Sequence, residues 1–149
     1  RISRNLATNA TLPRLASPVL ASLADAVGES AYLAERDGDH AVYVAMAAGS
    51  HPVRHVSWLG HRVPRRGTAV GRALRADVDH DGVAVRVDAV ESGITAVSAP
   101  VSDATGAVVA AISVVGPSFR LTGAALDAAR LAVATHAATL TRAAGGATA

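Results

Sequence analysis

Near the start of the chain, apolar residues recur with the 3.6-residue period of an amphipathic helix. The apolar stripe consists of Leu12, Leu15, Ala16, Val19, Leu20, Leu23, Ala24 and Val27. Thr11 is placed to cap this helix and Gly28 to end it. Pro18 lies inside the pattern and favours a kink or a later start, near Ser17. We therefore predict a helix over residues 12–27.

Beyond this helix the apolar period changes to two, which is typical of half-buried strands. Two β-prone runs flank the Asp37-Gly38 pair, and this arrangement predicts a hairpin. In chain order we predict strands at 30–35, 40–47 and 52–59, a loop at 60–67, a short helix at 68–76, a polar loop at 77–82, a strand at 83–87, a hairpin around the turn 103–106, and a helix from about 123 to 144 capped by Thr122. Consecutive hairpins indicate an antiparallel sheet, so the predicted fold class is α+β with both long helices on one face.

The hairpin around residues 103–106 has one bulky face and one small face. With Ser102 opposite Ala107, the pairing brings Ala96 opposite Ser113. Two interpretations of the small face remain open. It either packs closely against a helix or a partner subunit, or it forms the floor of a ligand site in which Ser113 donates a hydrogen bond. The small face carries Ile94, Ala96, Ser98, Ala111, Ser113 and Val115.

Composition and charge exclude several classes of protein. The formal net charge is only +2, and the one dense basic patch lies at residues 61–66, so charge alone does not indicate a nucleic-acid-binding surface. The absence of cysteine excludes disulfides and thiolate chemistry. No apolar run is long enough to span a membrane and no signal-type segment is present, so we expect a cytoplasmic protein without a membrane partner. The first residue is not Met, and we interpret the chain as part of a longer protein.

No catalytic or metal-binding pattern stands out. The histidines are dispersed, and the acidic run at residues 77–81 has no zinc or calcium spacing. The GxSxG, HExxH and Gly-Lys-Ser/Thr elements are absent from the sequence. We therefore predict no catalytic residue, no metal and no cofactor. A small enzyme that uses His55 or Ser113 is the third hypothesis, behind two non-enzymatic ones.

Three segments resemble the C-terminal effector-binding domain of the IclR family of bacterial transcriptional regulators. They are LASPVLASLADAVGESAYLAERDGD, the GxxxP…GRALRA stretch at residues 60–76, and ESGITAVSAPVSDATGAVVAAISVVGPSFRLT at residues 91–122. The last segment is the most specific, through its Ala-Pro-Val, Asp-x-x-Gly and Gly-Pro-x-x-Arg elements. The resemblance implies a GAF/PAS-like curved antiparallel β-sheet flanked by N- and C-terminal helices.

The resemblance also implies a function. Regulators of this family sense small molecules, often carboxylic or aromatic acids, and act as dimers or tetramers. Their N-terminal winged helix-turn-helix binds DNA, and we expect it to be absent because nothing in residues 1–149 supplies a recognition helix. The chain would then be a sensor domain with a carboxylate effector and a homo-oligomeric partner, and it would reach DNA only through the missing domain. The alternative is a dimerisation module that has lost its effector.

Position by position, the resemblance implies an effector site of nine residues. Backbone amides of Ala69 and Val70 would hold a carboxylate at a helix start. Arg86 stands where the family can have an acidic residue, and it either favours an anionic effector or is a solvated edge residue. The predicted site residues are Ala69, Val70, Ala96, Ser113, Ile94, Val63, His55, Arg86 and Asp88.

The chain departs from the family pattern in one length. Family members usually carry a few dozen more residues between the helix of the Gly-Arg-Ala-Leu element and the next strand, where this chain has only DVDHDG. That segment normally covers part of the pocket. The site is therefore shallower here, or the effector differs, or sensing has weakened.

Overall fold

The structure is a computed structural model that describes residues 2–51 and 57–145, with side chains in the first helix described from residue 11. Its elements are α1 Ile2–Val27, β1 Ser30–Asp37, β2 His40–Ala47, β3 Arg62–Pro64, α2 Ala69–Leu74, β4 Ala84–Val87, β5 Ile94–Ser102, β6 Val108–Pro117 and α3 Gly123–Ala143. The α+β prediction is confirmed. Among the described residues, no helix is long and apolar enough to cross a lipid bilayer.

All six strands form one curved antiparallel sheet in the order β3-β2-β1-β6-β5-β4. The two long helices α1 and α3 pack together on one face, as predicted. We call the opposite surface the α2 face, because the short helix α2 packs against it. Its core consists of Tyr32, Ala34, Ala41, Tyr43, Trp58, Val63, Val70, Ala73, Leu74, Ile94, Ala111 and Val115.

Helix α1 is longer than its apolar pattern predicts. It runs through Pro13 and Pro18, so the predicted cap at Thr11 and the alternative start near Ser17 are both wrong. Proline has no backbone N–H, so Pro18 cannot donate a helical hydrogen bond. Pro18 is exposed and the packed stripe of the helix lies on the other side, so the stripe is buried despite this missing bond. The predicted end is confirmed, since Gly28 takes a left-handed φ of 84° and donates to the carbonyl of Ala24 at 2.7 Å.

The β5–β6 hairpin has the predicted faces but not the predicted register. Ser98 lies opposite Ser113, and Ala96 lies opposite Val115, so the predicted Ala96–Ser113 pairing is wrong. The turn is one residue longer than expected, and a bulge beside Val101 adds a second residue. Beyond the bulge the shift is two residues, which leaves residues 94–101 and 110–115 on their predicted faces, because side chains alternate with a period of two.

The third strand lies later in the chain than the sequence pattern predicts. Residues 52–56 of the predicted strand lie outside the described residues, and residues 57–59 are not a strand. The chain instead pairs with β2 at residues 62–64, which were predicted as loop. Backbone bonds between Tyr43 and both Gly60 and His61 begin this pairing, and Pro64 ends β3.

The short connection between α2 and β4 is held by arginines. Arg130 bonds to Asp81 at 2.7 Å and to Asp79 at 3.1 Å, and Arg72 also reaches Asp79. Hydrogen bonds from Arg130, more than any other cause, hold the pKa values of Asp79 and Asp81 below their usual range.

We expect the stabilising effect of Arg130 to be lost in acid. A carboxylate with a lowered folded-state pKa stabilises the fold above its unfolded pKa, about 3.9 for Asp, and this stabilisation disappears as the pH falls through the folded value. The Tm difference between wild type and Arg130→Ala should therefore be largest near pH 7 and shrink below about pH 4. Arg142→Ala, at an exposed position, is the control. A Tm difference that stays constant down to pH 2.5 would contradict this account.

Candidate functional site

A small pocket lies on the α2 face, where α2 meets β4, β5 and the turn between those strands. Its volume is about 10 Å³, roughly the space that one water molecule needs. An organic acid does not fit into this volume without movement of a wall. The pocket is lined by Tyr43, Trp58, Thr68, Ala69, Val70, Arg86, Ala89, Val90, Ile94 and Ala96.

Three aromatic rings pack together at this pocket, and two of them, those of Tyr43 and Trp58, line it. The Tyr32 and Tyr43 rings meet edge to face at 5.1 Å, and the Trp58 ring lies 6.2 Å from the first and 5.7 Å from the second. All three side chains are almost fully buried. Burial, with a smaller effect of Tyr32, raises the pKa of Tyr43, so its hydroxyl stays neutral near pH 7.

Two hydrogen bonds hold Trp58 in this cluster. Its backbone N–H donates to the Tyr32 hydroxyl at 3.0 Å, and its indole Nε1–H donates to the Glu91 carboxylate at 3.3 Å. Glu91 is exposed and belongs to the turn between β4 and β5. Trp58 is therefore bonded to two separate parts of the chain, through its backbone to Tyr32 and through its indole to Glu91.

Five of the nine predicted site residues line the pocket: Ala69, Val70, Arg86, Ile94 and Ala96. Val63 is buried in the core of the same face, away from the pocket lining. Asp88 is an exposed turn residue with a φ of 63°, and its carboxylate accepts a bond from the Gly93 N–H at 2.7 Å. His55 lies outside the described residues.

Ser113 is sealed inside the protein. Its hydroxyl lies 2.6 Å from that of Ser98, and both side chains are fully buried. The two hydroxyls therefore satisfy each other where the sequence analysis expected Ser113 to bond to a ligand. The pair of short residues leaves room for Tyr32, which lies opposite Ser113 on β1, to pack over the sheet.

The start of α2 packs closely against residues 64–65, which precede it in the chain. The Thr68 hydroxyl accepts the Gly71 N–H at 3.1 Å and donates to the Pro64 carbonyl at 2.8 Å, so Thr68 caps α2. A Cβ atom on Gly71 would overlap the carbonyl oxygen of Arg65. This close approach brings Ala69 and Val70 to the pocket wall.

Among the described residues that line the pocket, Arg86 is the one that carries a charge. It is half-buried, it lies opposite Ala96 in the β4–β5 ladder, and its Nη1 donates to the carbonyl of Val85 at 3.0 Å. No carboxylate among residues 2–51 and 57–145 forms an ion pair with it, whereas the half-buried Arg72, Arg120 and Arg130 each form one. The guanidinium therefore has capacity left to bind an anion.

Sequence reasoning missed the aromatic wall and Glu91. Trp58 lies in the core of the α2 face. The alternation along β1 and β2 places Tyr32 and Tyr43 on one face, but only the pairing of β1 with β6 brings that face over Ser113. Within residues 2–51 and 57–145 there is no group of three or more side chains that could hold a metal ion.

The Gly-Pro-x-x-Arg element has a structural role. Arg120 binds the buried carboxylate of Glu29 with two bonds of 2.6 and 2.8 Å. Gly116 leaves room for that carboxylate, since a Cβ there would lie 2.7 Å from it. This ion pair connects the start of β1 to the segment between β6 and α3. It lies outside the pocket lining.

Solved structures share this fold. The match to the IclR protein of Thermotoga maritima has a TM-score of 0.80 at 22% identity and covers 90% of this chain and 68% of that chain. A protein described as an IclR transcriptional regulator from Silicibacter has a TM-score of 0.86 at 17% identity, with 100% of this chain and 72% of that chain covered. Pseudomonas aeruginosa HmgR has a TM-score of 0.82 at 21% identity, with 99% and 73% covered.

The sequence also matches a protein family directly, although none of the curated proteins matches it. The family is described as bacterial transcriptional regulator IclR C-terminal, and it matches residues 5–81 and 76–142. The two matched stretches meet at the connection between α2 and β4, where the sequence analysis placed a shortened segment. Together they include most of the chain. The chain therefore belongs to the IclR family of bacterial transcriptional regulators, of which it is the C-terminal domain.

Proposed function

We propose that this chain is the small-molecule-sensing and oligomerisation domain of a transcriptional regulator, and that its effector is a small carboxylic acid bound beside Arg86. Regulators of this family bind small-molecule effectors and DNA and form oligomers. They are not enzymes, and we extend that to this chain. The observation that carries the proposal is a half-buried arginine in the pocket lining that has no carboxylate partner among the described residues, while the other described lining residues are uncharged.

The pocket wall suits the proposed ligand chemically. Val70, Ile94 and Ala96 provide an apolar surface next to the Arg86 guanidinium. A carboxylate accepts bidentate bonds from a guanidinium, and these bonds strengthen where water is excluded. The predicted contributions of Ser113 and Val63 are not needed in this arrangement, since both are buried away from the pocket lining.

Effector binding would act on DNA through a population shift. Domains that bind DNA would lie N-terminal to this chain, so α1 is the element through which a change in this domain would reach them. A coupling free energy of about 1 to 3 kcal/mol between the two sites is enough for regulation. Dimers or tetramers of this domain would set the spacing of the DNA-binding domains.

We expect Arg86→Ala to weaken acid binding by roughly 10- to 100-fold, since a hydrogen bond to a charged group contributes about 1.5 to 3 kcal/mol. A thermal-shift panel of acetate, succinate and benzoate identifies binding acids, and calorimetry then measures Kd in both proteins. Arg66→Ala, at an exposed loop position, is the matched control and should leave Kd unchanged. Equal affinity in the Arg86→Ala protein would refute the anionic site.

A second candidate is an effector-independent dimerisation module. Two observations favour it: the aromatic rings occupy the space beside the pocket, and Ser98 and Ser113 satisfy each other. It is supported if none of the three acids raises the Tm and sedimentation still finds a stable oligomer. It is rejected if an acid binds and Arg86→Ala removes that binding.

A further inference from the structure

We propose that Trp58 is an intramolecular competitor for the effector site and that Glu91 stabilises it there. This inference rests on the proposed function, because it concerns access to the pocket beside Arg86. The indole lines that pocket and is 3% exposed, and the volume left beside it is about 10 Å³. An organic acid therefore needs space that the indole now occupies.

The contacts of Trp58 resemble those of a bound aromatic ligand. Its ring stacks on Tyr32 at 6.2 Å with an interplanar angle of 30°, and it is tilted against Tyr43 at 5.7 Å. Such ring pairs contribute beyond the area that they bury. The side chain is supplied by an irregular segment, residues 57–61, rather than by a strand. A guest molecule that displaces the indole meets the same two tyrosine rings.

The segment around Trp58 contributes little burial of its own. Ser57 and Gly60 are exposed, and the Leu59 side chain is 50% exposed. Withdrawal of the indole therefore exposes mainly one side chain, while the sheet and both long helices keep their contacts. The hydrogen bond from Gly60 to Tyr43, at 2.8 Å, attaches the end of this segment to β2.

Glu91 makes the position of the indole in the pocket depend on the charge of the effector. Its carboxylate accepts the indole Nε1–H across 3.3 Å, so it stabilises Trp58 in the pocket. An anion that binds beside Arg86 brings a like charge into a pocket that Trp58 borders, and like charges repel. An anionic effector therefore opposes the bond that holds the competitor, whereas a neutral molecule of the same shape does not.

With a competitor of this kind, the apparent Kd equals the intrinsic Kd divided by the fraction of molecules in which the indole is withdrawn. Changes that weaken the occupied state should tighten effector binding. This sign is opposite to that expected for Arg86→Ala. The two proposals can therefore fail separately.

The first test needs no ligand. Trp58 is the only tryptophan in the 149-residue chain, so its fluorescence reports this site alone. We expect Glu91→Ala to shift the emission maximum to the red and to raise the acrylamide quenching constant about twofold or more, because the indole spends more time in water. Asp127→Ala, at an exposed carboxylate on α3, is the control and should match wild type. Identical emission and quenching in wild type and Glu91→Ala would overturn the role of Glu91.

The second test uses benzoate, with acetate as the smaller probe. We expect Trp58→Ala to bind benzoate at least about tenfold more tightly than wild type, because the competitor is removed. Trp58→Leu keeps an apolar side chain, so its affinity for benzoate should lie between those of wild type and Trp58→Ala. This variant remains informative if the alanine variant fails to fold. If wild type binds benzoate and neither variant binds it more tightly, the competitor is refuted while the proposed function stands. If no protein binds either acid, both proposals fail.

Discussion

We expect Arg120→Ala to lower the free energy of unfolding by about 3 to 5 kcal/mol, the cost of leaving a buried charge without its partner. Glu29 is 4% exposed and receives two bonds from the guanidinium, at 2.6 and 2.8 Å. The next nearest basic side chain is that of His51, whose Nε2 lies 4.0 Å from the carboxylate. Chemical denaturation of wild type and variant, with equal m-values, measures the difference.

Two further proteins test the cause of this loss. In the double variant Glu29→Gln/Arg120→Ala the buried group is neutral, so part of the lost stability should return. Arg142→Ala removes an exposed arginine from α3 and should change stability by no more than about 0.5 kcal/mol. A double variant that is no more stable than Arg120→Ala would show that lost packing, rather than an unpaired carboxylate, causes the effect.

Gly71→Ala should also destabilise the fold, by about 3 kcal/mol, at the upper end of the usual range for overpacking. Helix propensity alone would give the opposite sign, because Ala is preferred to Gly inside a helix by about 1 kcal/mol. The new Cβ would overlap the backbone oxygen of Arg65, and a backbone atom cannot rotate away as a side chain can. We expect a lower Tm, with α2 displaced from the sheet.

Gly106→Ala separates this overlap from the general effect of losing a glycine. Gly106 lies in the β5–β6 turn with a φ of 85°, and a Cβ there would meet no atom within 4 Å. That variant should lose only about 1 to 2 kcal/mol, the cost of a left-handed alanine. If Gly71→Ala is as stable as wild type, the close contact between α2 and residue 65 is wrong.

Part of the candidate site could be predicted from local sequence patterns, and part depends on contacts between distant segments. Ala69, Val70, Ile94, Ala96 and Arg86 were predicted together and do line one pocket. Ser113 was predicted to bond to a ligand but bonds to Ser98 instead. The difference comes from a longer turn and a bulge, two features that shift pairing by two residues without changing the apolar pattern.

By itself, the sequence determined most of the segments that form helices and strands, although not the third strand, and also which face of the hairpin is buried against the long helices and which family the chain resembles. These properties follow from periodicity and turn residues, which are local. The tertiary structure decided which side chains occupy the site and how little space they leave for a ligand. Tyr32, Tyr43, Trp58 and Glu91 come from three separate parts of the chain, and the packing of those parts brings them together at the pocket, which Tyr43 and Trp58 line, and beside it. Such contacts depend on the packing of distant segments, which no local pattern encodes.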